Sequence, residues 1–582
     1  MSSISSLYVG TSGLNVSQAA LNVTAHNLAN VETKGFVRQQ VVLADFKYIK
    51  LGESYSSSML KGLGANFETV KQVRDNFLDQ AYRQEVGRQA FYDSQYMAVD
   101  EIEGLFGELE GESFQNTMNE LWVSLQELAK EPDSVVARAS LIQTSVTFIE
   151  RAENIYHQLN DYQLNLNTQI KDQVTRINEI GEEIKQINLK IRQYESNGVE
   201  KANDMRDKRN NLLDELGKMA RITYKENADG IVNVNLEGVP FVTEDMAFKM
   251  DVVPVSDTSS MLKPVWASFG NEDVFNLSRA ATSEDNTDIG SLKGLLTARG
   301  YKQANYTDIP KREKYETEDP ERAEVLYQAD VNNYNNTINA SVVMSVQAQF
   351  DQLIHGIVTT INNVLSPNIK VTQPDGTEIT ILDVDNAPVG VDGTTKGEAL
   401  FSRKSMPRYG DEEEVTYLLE DGSYNTVLTR IYNDEDPADN YSLFTLGEIE
   451  VNPAIMQNYA LIPLSKNSGT GDVDVETAKK LITEWQNAFS TLSPNTLTSY
   501  NFNDYYTSFI SELANRGEQL NTISTNQATM ADNIDFKRAE VTAVSSDEEL
   551  TNLIKYQHAY NASARYINVV SEMLEHVIMN LS

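Results

Sequence analysis

The sequence predicts an α+β multidomain fold: a long α-helical coiled-coil and bundle core made from both chain termini, with β-rich hairpins and an inserted β-rich domain. Three observations carry this. Apolar residues recur at heptad spacing from Ser546 to Leu581, they recur in the same way from Ile4 to Leu28, and residues 368–465 break into Gly, Pro, Thr and turn dipeptides. At 582 residues the chain is also too long for one hydrophobic core and divides into several units.

The first element is a helix with Ile4, Leu7, Thr11, Leu14, Gln18, Leu21, Ala25 and Leu28 at a/d spacing. From Met1 to Val31 there is no Asp, Glu, Lys or Arg, so its outer face is Ser, Thr, Asn, Gln and small residues. Such a face admits other helices without desolvating ions and points to burial among neighbouring subunits. Periodicity alone does not choose between that and an ordinary intramolecular helix pair.

Gly35 ends the regular structure, and Arg38 to Lys61, which lacks helical phase, reads as a linker. A helical region starts from about Val70 and is punctuated near Gly104 to Gly111. The next helix, Thr117 to Ala129, is stopped by Glu131-Pro132-Asp133, because Pro lacks an N–H and clashes with the preceding turn. Val135 to Tyr194 is the longest helical pattern, with Ile170, Ile177, Ile184 and Ile191 interleaved with Ile180, Ile187 and Tyr194, and Gly198 breaks it. Asn203 to Met219 folds back as its antiparallel partner, its charges read as i,i+4 pairs on a solvated face.

Ile222 to Val253 combines alternation with turn residues and predicts β-hairpins. Gly290 to Leu296 opens a helical return, and Lys311 to Arg322 is a charged, Pro-containing insertion expected to be exposed. Asn333 to Leu365 follows as one helix, with Ile338, Val342, Val346 and Phe350 on a repeating face, and ends at Ser366-Pro367. Asp375-Gly376, Asp392-Gly393 and Asp421-Gly422 mark turns in the β-rich insertion. Helix resumes over Glu476 to Leu492, breaks at Pro494 and runs from Phe502 to about Val541. The last helix opens on a capping box of Ser546 and Glu549, and its a/d series is Leu550, Leu553, Gln557, Tyr560, Ala564, Ile567, Ser571, Leu574, Ile578 and Leu581.

The expected division is a terminal coiled-coil segment with linker at 1–64, a helical bundle at 65–221, β-hairpins at 222–289 and a helical return at 290–367. The inserted β domain follows at 368–465, the bundle closes at 466–545, and 546–582 is the terminal helix that pairs with the first.

Composition excludes several functions. With 48 Lys+Arg against 85 Asp+Glu the formal net charge is -37, so neither nucleic acid nor an anionic membrane surface is expected as a partner. There is no Cys, which removes disulfides, thiolate metal sites and thiol nucleophiles. No run approaches ~20 apolar residues, and the amino terminus has no basic region or apolar core of a cleaved signal peptide.

Five His residues, at positions 26, 157, 355, 558 and 576, show no metal-ligand spacing. The acidic runs Asp411 to Glu414 and Asp434 to Asp436 lack the EF-hand pattern, and consecutive carboxylates in a loop diverge rather than form an acid/base pair. Neither a P-loop nor GxSxG is present. No catalytic residue, cofactor or metal is therefore expected, and the protein reads as non-enzymatic.

Certain motifs carry a resemblance. Ser12-Gly13-Leu14, Gln18-Ala19-Ala20-Leu21 and His26-Asn27-Leu28-Ala29-Asn30-Val31-Glu32-Thr33-Lys34-Gly35-Phe36 resemble the amino-terminal signature of bacterial flagellar axial proteins, the family of rod, hook and hook-associated subunits. Asp547-Glu548-Glu549-Leu550-Thr551-Asn552-Leu553-Ile554-Lys555-Tyr556-Gln557, followed by Ala559-Tyr560 and Ala562-Ser563-Ala564-Arg565, resembles the matching carboxy-terminal signature. Ala202 to Arg209, continuing to Leu216, is similar to the hook-associated branch rather than to rod or hook proteins, while Lys34 stands where that branch would have Pro before Gly35.

The resemblance implies a structural subunit at the junction of hook and filament, outside the cell, exported uncleaved through the flagellar type III apparatus. Its implied partners are further copies in a helical or ring assembly, hook protein, a second junction protein or flagellin, the filament cap and an export chaperone. It also implies assembly roles for Asn27, Asn30 and Gly35 and for Ile554, Tyr556 and Gln557, beside the seam residues above. Another axial protein, hook or flagellin-like, and a secreted adhesin using the β-rich insertion are the alternatives.

Overall fold

Most helix starts coincide with side chains that satisfy the free N–H groups of a first turn in the computed structural model, which describes residues 2–54, 57–107, 113–197, 201–257, 259–315, 319–419, 421–466 and 473–581. After α1 (Ser2–Ala29), the chain forms two antiparallel hairpin pairings, β1 (Gln39–Asp45) with β4 (Ala65–Gln72) and β2 (Tyr48–Ser54) with β3 (Ser57–Gly62). The stretch expected to be a linker is therefore strand, and Val70 lies in β4 rather than in a helix. Its strands pair with one another over short runs, so the two-residue alternation is too brief to stand out in sequence.

Asp75 accepts from the N–H groups of Phe77 and Leu78 and starts α2 (Asn76–Phe106). Ser113 caps α3 (Phe114–Lys130) and Ser134 caps α4 (Val135–Tyr194), whose bounds are those the heptads predict. Gly198, expected to end α4, lies outside the described residues. The fold-back helix α5 (Asn203–Met219) follows. Two three-stranded antiparallel sheets come next, β5 (Ile222–Glu226), β6 (Val232–Leu236) and β7 (Val239–Val242), then β8 (Met250–Pro254), β9 (Leu262–Trp266) and β10 (Glu272–Asp273).

The helical return is α6 (Ser291–Arg299). Asp319 then caps α7 (Pro320–Asn336), with Pro320 at a position that needs no N–H. The expected single helix through Ile338 is interrupted: Ser341 caps a separate α8 (Val342–Leu365), and Ile338 belongs to a small core with Tyr334 and Met344. Within the insertion, β11 (Asn368–Thr372), β12 (Glu378–Leu382), β15 (Tyr409–Leu418) and β16 (Tyr424–Tyr432) form one sheet in the order β11-β12-β16-β15. The short strands β13 (Val389–Gly390) and β14 (Phe401–Arg403) pair with β18 (Pro463–Ser465) and β17 (Ile449–Val451), and α9 (Pro453–Gln457) lies between the latter two.

The chain closes with α10 (Val475–Gln486), α11 (Phe502–Thr542) and α12 (Ser546–Leu581). α10 ends before the expected Leu492, and α12 is capped one residue earlier than expected: Ser545 Oγ accepts from Glu548 N–H, leaving Ser546 inside the first turn.

A continuous core runs along α4, where Ile170, Ile177, Ile180, Ile184 and Ile191 are buried, into an edge-to-face aromatic cluster. In that cluster Phe106 sits 5.2 Å from Phe350 and 5.4 Å from Phe509. α11 runs antiparallel to α2, so the last long helix of the bundle covers the first: Gly517 packs on Val99, and Arg538 reaches Asp79. The base of the insertion, including Phe401, Phe444, Ile449 and Val451, joins this same core, while its sheet has a small core of its own around Val371, Ile381, Val415 and Tyr417.

Candidate functional site

The terminal helices meet each other inside the chain. α1 and α12 run antiparallel, with Gly10 against Ile567 and Gly13 against Ser563. A β-carbon at Gly10 would stand 2.7 Å from Ile567 Cγ1, and one at Gly13 2.8 Å from Ser563 Oγ, so hydrogen at these positions lets the helices approach this closely. The uncharged small-residue face of α1 is thus covered by its own chain. Ser5, Ser12, Ser17, Ala20, Thr24 and Asn27 are buried, whereas Leu7, Leu14, Leu21 and Leu28 are half-buried at its edge. Other uncharged residues of α1, Asn15, Gln18, Asn22 and Ala25, remain exposed.

The seam on α12 is also shifted. Glu549, Leu553, Tyr556, Tyr560, Ser563, Ile567, Val570 and Leu574 are its buried or half-buried residues, a 4-3-4-3 series. Leu553, Tyr560, Ile567 and Leu574 lie where the heptads put them. The interleaved positions sit one residue earlier than expected, leaving Gln557 exposed and Ala564 half-buried beside the seam, because Ser563 is the residue that fits against Gly13. Leu550, Ile554 and Ile578 are exposed. Ile4 and Leu581 are helical, but their side chains lie outside the described residues.

Asn27, Asn30 and Gly35 act within the chain. Asn27, 1% exposed, donates from Nδ2 to Gln39 O and accepts at Oδ1 from Gln39 N–H, so its amide stands in for a strand partner at the start of β1. Asn30 donates to His26 O and closes α1. Gly35 adopts φ 79°, and a side chain there would collide with Asn211 of α5.

α5 anchors this module to the bundle, and the i,i+4 solvated-face reading of its charges is corrected accordingly. Asp207 is buried and accepts from Val37 N–H at 3.1 Å and Gln72 Nε2 at 2.6 Å, with Arg74 Nη1 at 3.9 Å. Burial pushes the Asp207 carboxyl up to about 7, against the Val37 hydrogen bond, the Arg74 charge and the Gln72 hydrogen bond. Asp204 accepts from Gln39 Nε2 and lies 3.2 Å from His26 Nε2.

Farther along α5, Asp214 receives Arg83 Nε of α2 and Arg538 Nη2 of α11, each at 2.7 Å. Arg538 also lies over the Tyr82 ring at 4.5 Å. Arg38 completes the clamp: its N–H donates to Thr542 O and its guanidinium bonds Glu548 at the start of α12. Hydrogen-bonded carboxylates 131 and more positions from their partners leave no local signal, which is why sequence reasoning missed them.

A second polar cluster, equally illegible in sequence, joins the insertion to α8. Glu435 accepts from His355 Nε2 at 3.1 Å, from Phe444 N–H and from Tyr306 Oη, and the Tyr306 and His355 rings stack 3.8 Å apart. Burial alone would raise the Glu435 carboxyl, but its bonds from His355 and Tyr306, the His355 charge and the Phe444 N–H outweigh it and hold it at about 2. Asp351 accepts from the N–H groups of Leu446 and Tyr306 and from Thr445. Among the described residues no group of three or more His, Asp and Glu is arranged to hold a metal, and no helix is long and apolar enough to cross a membrane.

On the terminal helices, apolar surface remains beside the seam. Tyr566, Val569, Met573 and Val577 follow i, i+3, i+7, i+11 spacing on one side of α12 and are 43%, 48%, 61% and 50% exposed, while Leu550 and Ile554 are exposed on the other side of the seam, nearer its start. Paired terminal helices with uncovered apolar strips are thus fixed to a helical and β-rich body, the arrangement that the resemblance to the axial proteins of bacterial flagella implies.

Known families agree. Residues 7–36 match the family described as flagella basal body rod protein, residues 537–581 the flagellar basal body rod FlgEFG protein C-terminal family, and residues 99–379 the helical domain of the flagellar hook-associated protein FlgK. The chain is 25% identical over 578 residues to flagellar hook-associated protein 1 of Bacillus subtilis, covering 97% of this chain and 96% of that protein. It is 23% identical over 574 residues to the protein of the same name from Salmonella typhimurium, with 97% of each covered. In fold it is similar to the flagellar hook junction protein FlgK from Burkholderia pseudomallei, at TM-score 0.51 and 13% identity, over 81% of this chain and 100% of that one. Over nearly its whole length the chain is thus similar to proteins named flagellar hook-associated protein 1.

Proposed function

We propose that the protein assembles into the hook–filament junction by burying the exposed strips of α12, together with the half-exposed leucines of α1, against the terminal helices of neighbouring copies. The observation that carries this is the strip Tyr566, Val569, Met573 and Val577, uncovered although α12 is already paired with α1. Such a contact joins different faces of successive copies and so propagates into a ring or helix. Hook protein below, a second junction protein or flagellin above, the filament cap and an export chaperone are the further partners. Leu553, Tyr560, Ile567 and Leu574 of α12 hold it to α1 and so present the strips.

The protein acts outside the cell after export without cleavage, and its role is mechanical rather than enzymatic. The domain division proposed from sequence, with 1–64 and 546–582 as inner core and 368–465 as outer insertion, suits this arrangement. The double variant Val569→Asp, Met573→Asp leaves the α1–α12 seam in place. Expressed in a strain lacking the wild-type gene, it yields hooks without filaments and flagellin lost to the medium, by electron microscopy and immunoblot. Normal filaments in that strain would refute the assembly reading.

A further inference from the structure

A cavity of about 530 Å³ lies between the carboxy-terminal end of α6, strand β9, the 275–281 loop and the start of α8. That is within the size range of small-molecule sites. Its walls include Val255, Phe275, Leu277 and Leu296, which make it apolar. Its charges are one-sided: Lys263, Arg279, Lys293 and Arg299 line it, and Asp273, which pairs with Lys263 at 2.7 Å, is the acid among its lining residues. In a chain of net charge -37 this local excess of cations marks a place where a negative ligand is favoured and the rest of the surface repels it.

Arg299 is the informative residue. It is 1% exposed, and its Nε and Nη1 donate to Gly300 O, Asn167 Oδ1 and Leu262 O, while Nη2 makes no hydrogen bond to any described residue. No described carboxylate forms an ion pair with it, and burial brings its pKa down to about 10, so it remains a cation at neutral pH. A buried charge without a counter-charge is electrostatically incomplete. Arg138, Arg403 and Arg516 also donate to carbonyl oxygens, as staples between loops, but none of the three lines this cavity. Lys293, 7% exposed, donates to Thr287 O and likewise has no ion pair with a described carboxylate.

We propose that this cavity binds a small amphipathic anion, a single carboxylate on an aliphatic or aromatic body, with the carboxylate on Arg299 Nη2 and the body between Phe275, Leu277 and Leu296. The anion supplies the charge that Arg299 lacks, and the apolar body is desolvated by the walls. Because the site lies on the bundle and not on the terminal helices, it is independent of the assembly reading.

The test is calorimetric titration of the full-length protein with 4-phenylbutyrate and, as a neutral match, 4-phenylbutyramide. The carboxylate is expected to saturate one site at least tenfold more tightly than the amide. Arg299→Gln is expected to abolish that preference. Ala281→Trp, which fills the cavity from its exposed loop and leaves Arg299 in place, is expected to abolish binding with an unchanged melting temperature. The proposal is overturned by no saturable binding, by equal affinity for acid and amide, or by carboxylate binding that survives Ala281→Trp.

Discussion

Replacing Asp207 by Ala tests whether α5 holds the terminal module to the bundle. The substitution leaves the buried N–H of Val37 without its acceptor and takes from Gln72 one of two acceptors, the other being Asn203 O. A buried donor left unsatisfied costs about 1–3 kcal/mol and the lost Gln72 bond about 1 more, so at pH 5, where the docked Asp207 is protonated, docking weakens by about 2–4 kcal/mol. Hydrogen–deuterium exchange reads this directly, since 2 kcal/mol is about a thirty-fold rise in the opening constant. Val37 and strands β1 and β4 are expected to lose protection by that factor or more while α4 and α8 keep theirs.

The same carboxylate gives docking a pH dependence of known sign. Its pKa rises from 3.8 to about 7 on docking, so the docked state holds a proton that the undocked state releases. Docking is therefore strongest below pH 3.8 and loses up to about 4 kcal/mol, roughly three units at 1.36 kcal/mol each, as pH rises through 7. Asp207→Asn removes this dependence. Unchanged protection of Val37 in Asp207→Ala, or a wild-type module that docks more tightly at pH 8 than at pH 5, would refute the reasoning.

Three further outcomes are expected. Gly10→Leu drives a side chain into Ile567, costs about 1–3 kcal/mol of overpacking and separates α1 from α12, read as increased proteolysis of both helices with the bundle intact. Arg538→Met strands Asp214 and the buried Asp79 with one fewer cation and lowers stability by about 3–5 kcal/mol in denaturant unfolding, while Asp214→Asn in the same background recovers part of it. Glu435→Gln weakens the joint between insertion and α8 by about 1.5–3 kcal/mol at neutral pH. Because the Glu435 carboxyl is held at about 2 against 4.5 unfolded, its contribution is complete above pH 4.5 and disappears as pH falls through 2, so the variant's deficit shrinks in acid unfolding.

How far the chain is legible depends on whether a signal is local. The bounds of α4 and α5 follow from uninterrupted heptads and a fold-back, and the β character of the insertion follows from its turns, because each rests on neighbours in sequence. The 39–72 hairpins, the split at Ser341 and the one-residue displacement of the α12 seam were not legible. In each case a distant partner decides: Asn27 for β1, the small core of Tyr334, Ile338 and Met344 for the helix break, and Gly13 facing Ser563 for the seam.

By itself, then, the sequence determined that this is a long, cysteine-free, acidic chain whose two ends form matching helices, and its end motifs pointed to the flagellar axial family. Only the tertiary structure decided that the small-residue face of α1 is filled from within, that the carboxylates of α5 are anchors rather than solvated charges, and which strip of α12 is left for a neighbour. Heptad spacing repeats along a helix and fixes an apolar stripe to within about one residue. Whether a given face is covered depends on which atoms approach from elsewhere in the chain, and that is a property of the packed molecule alone.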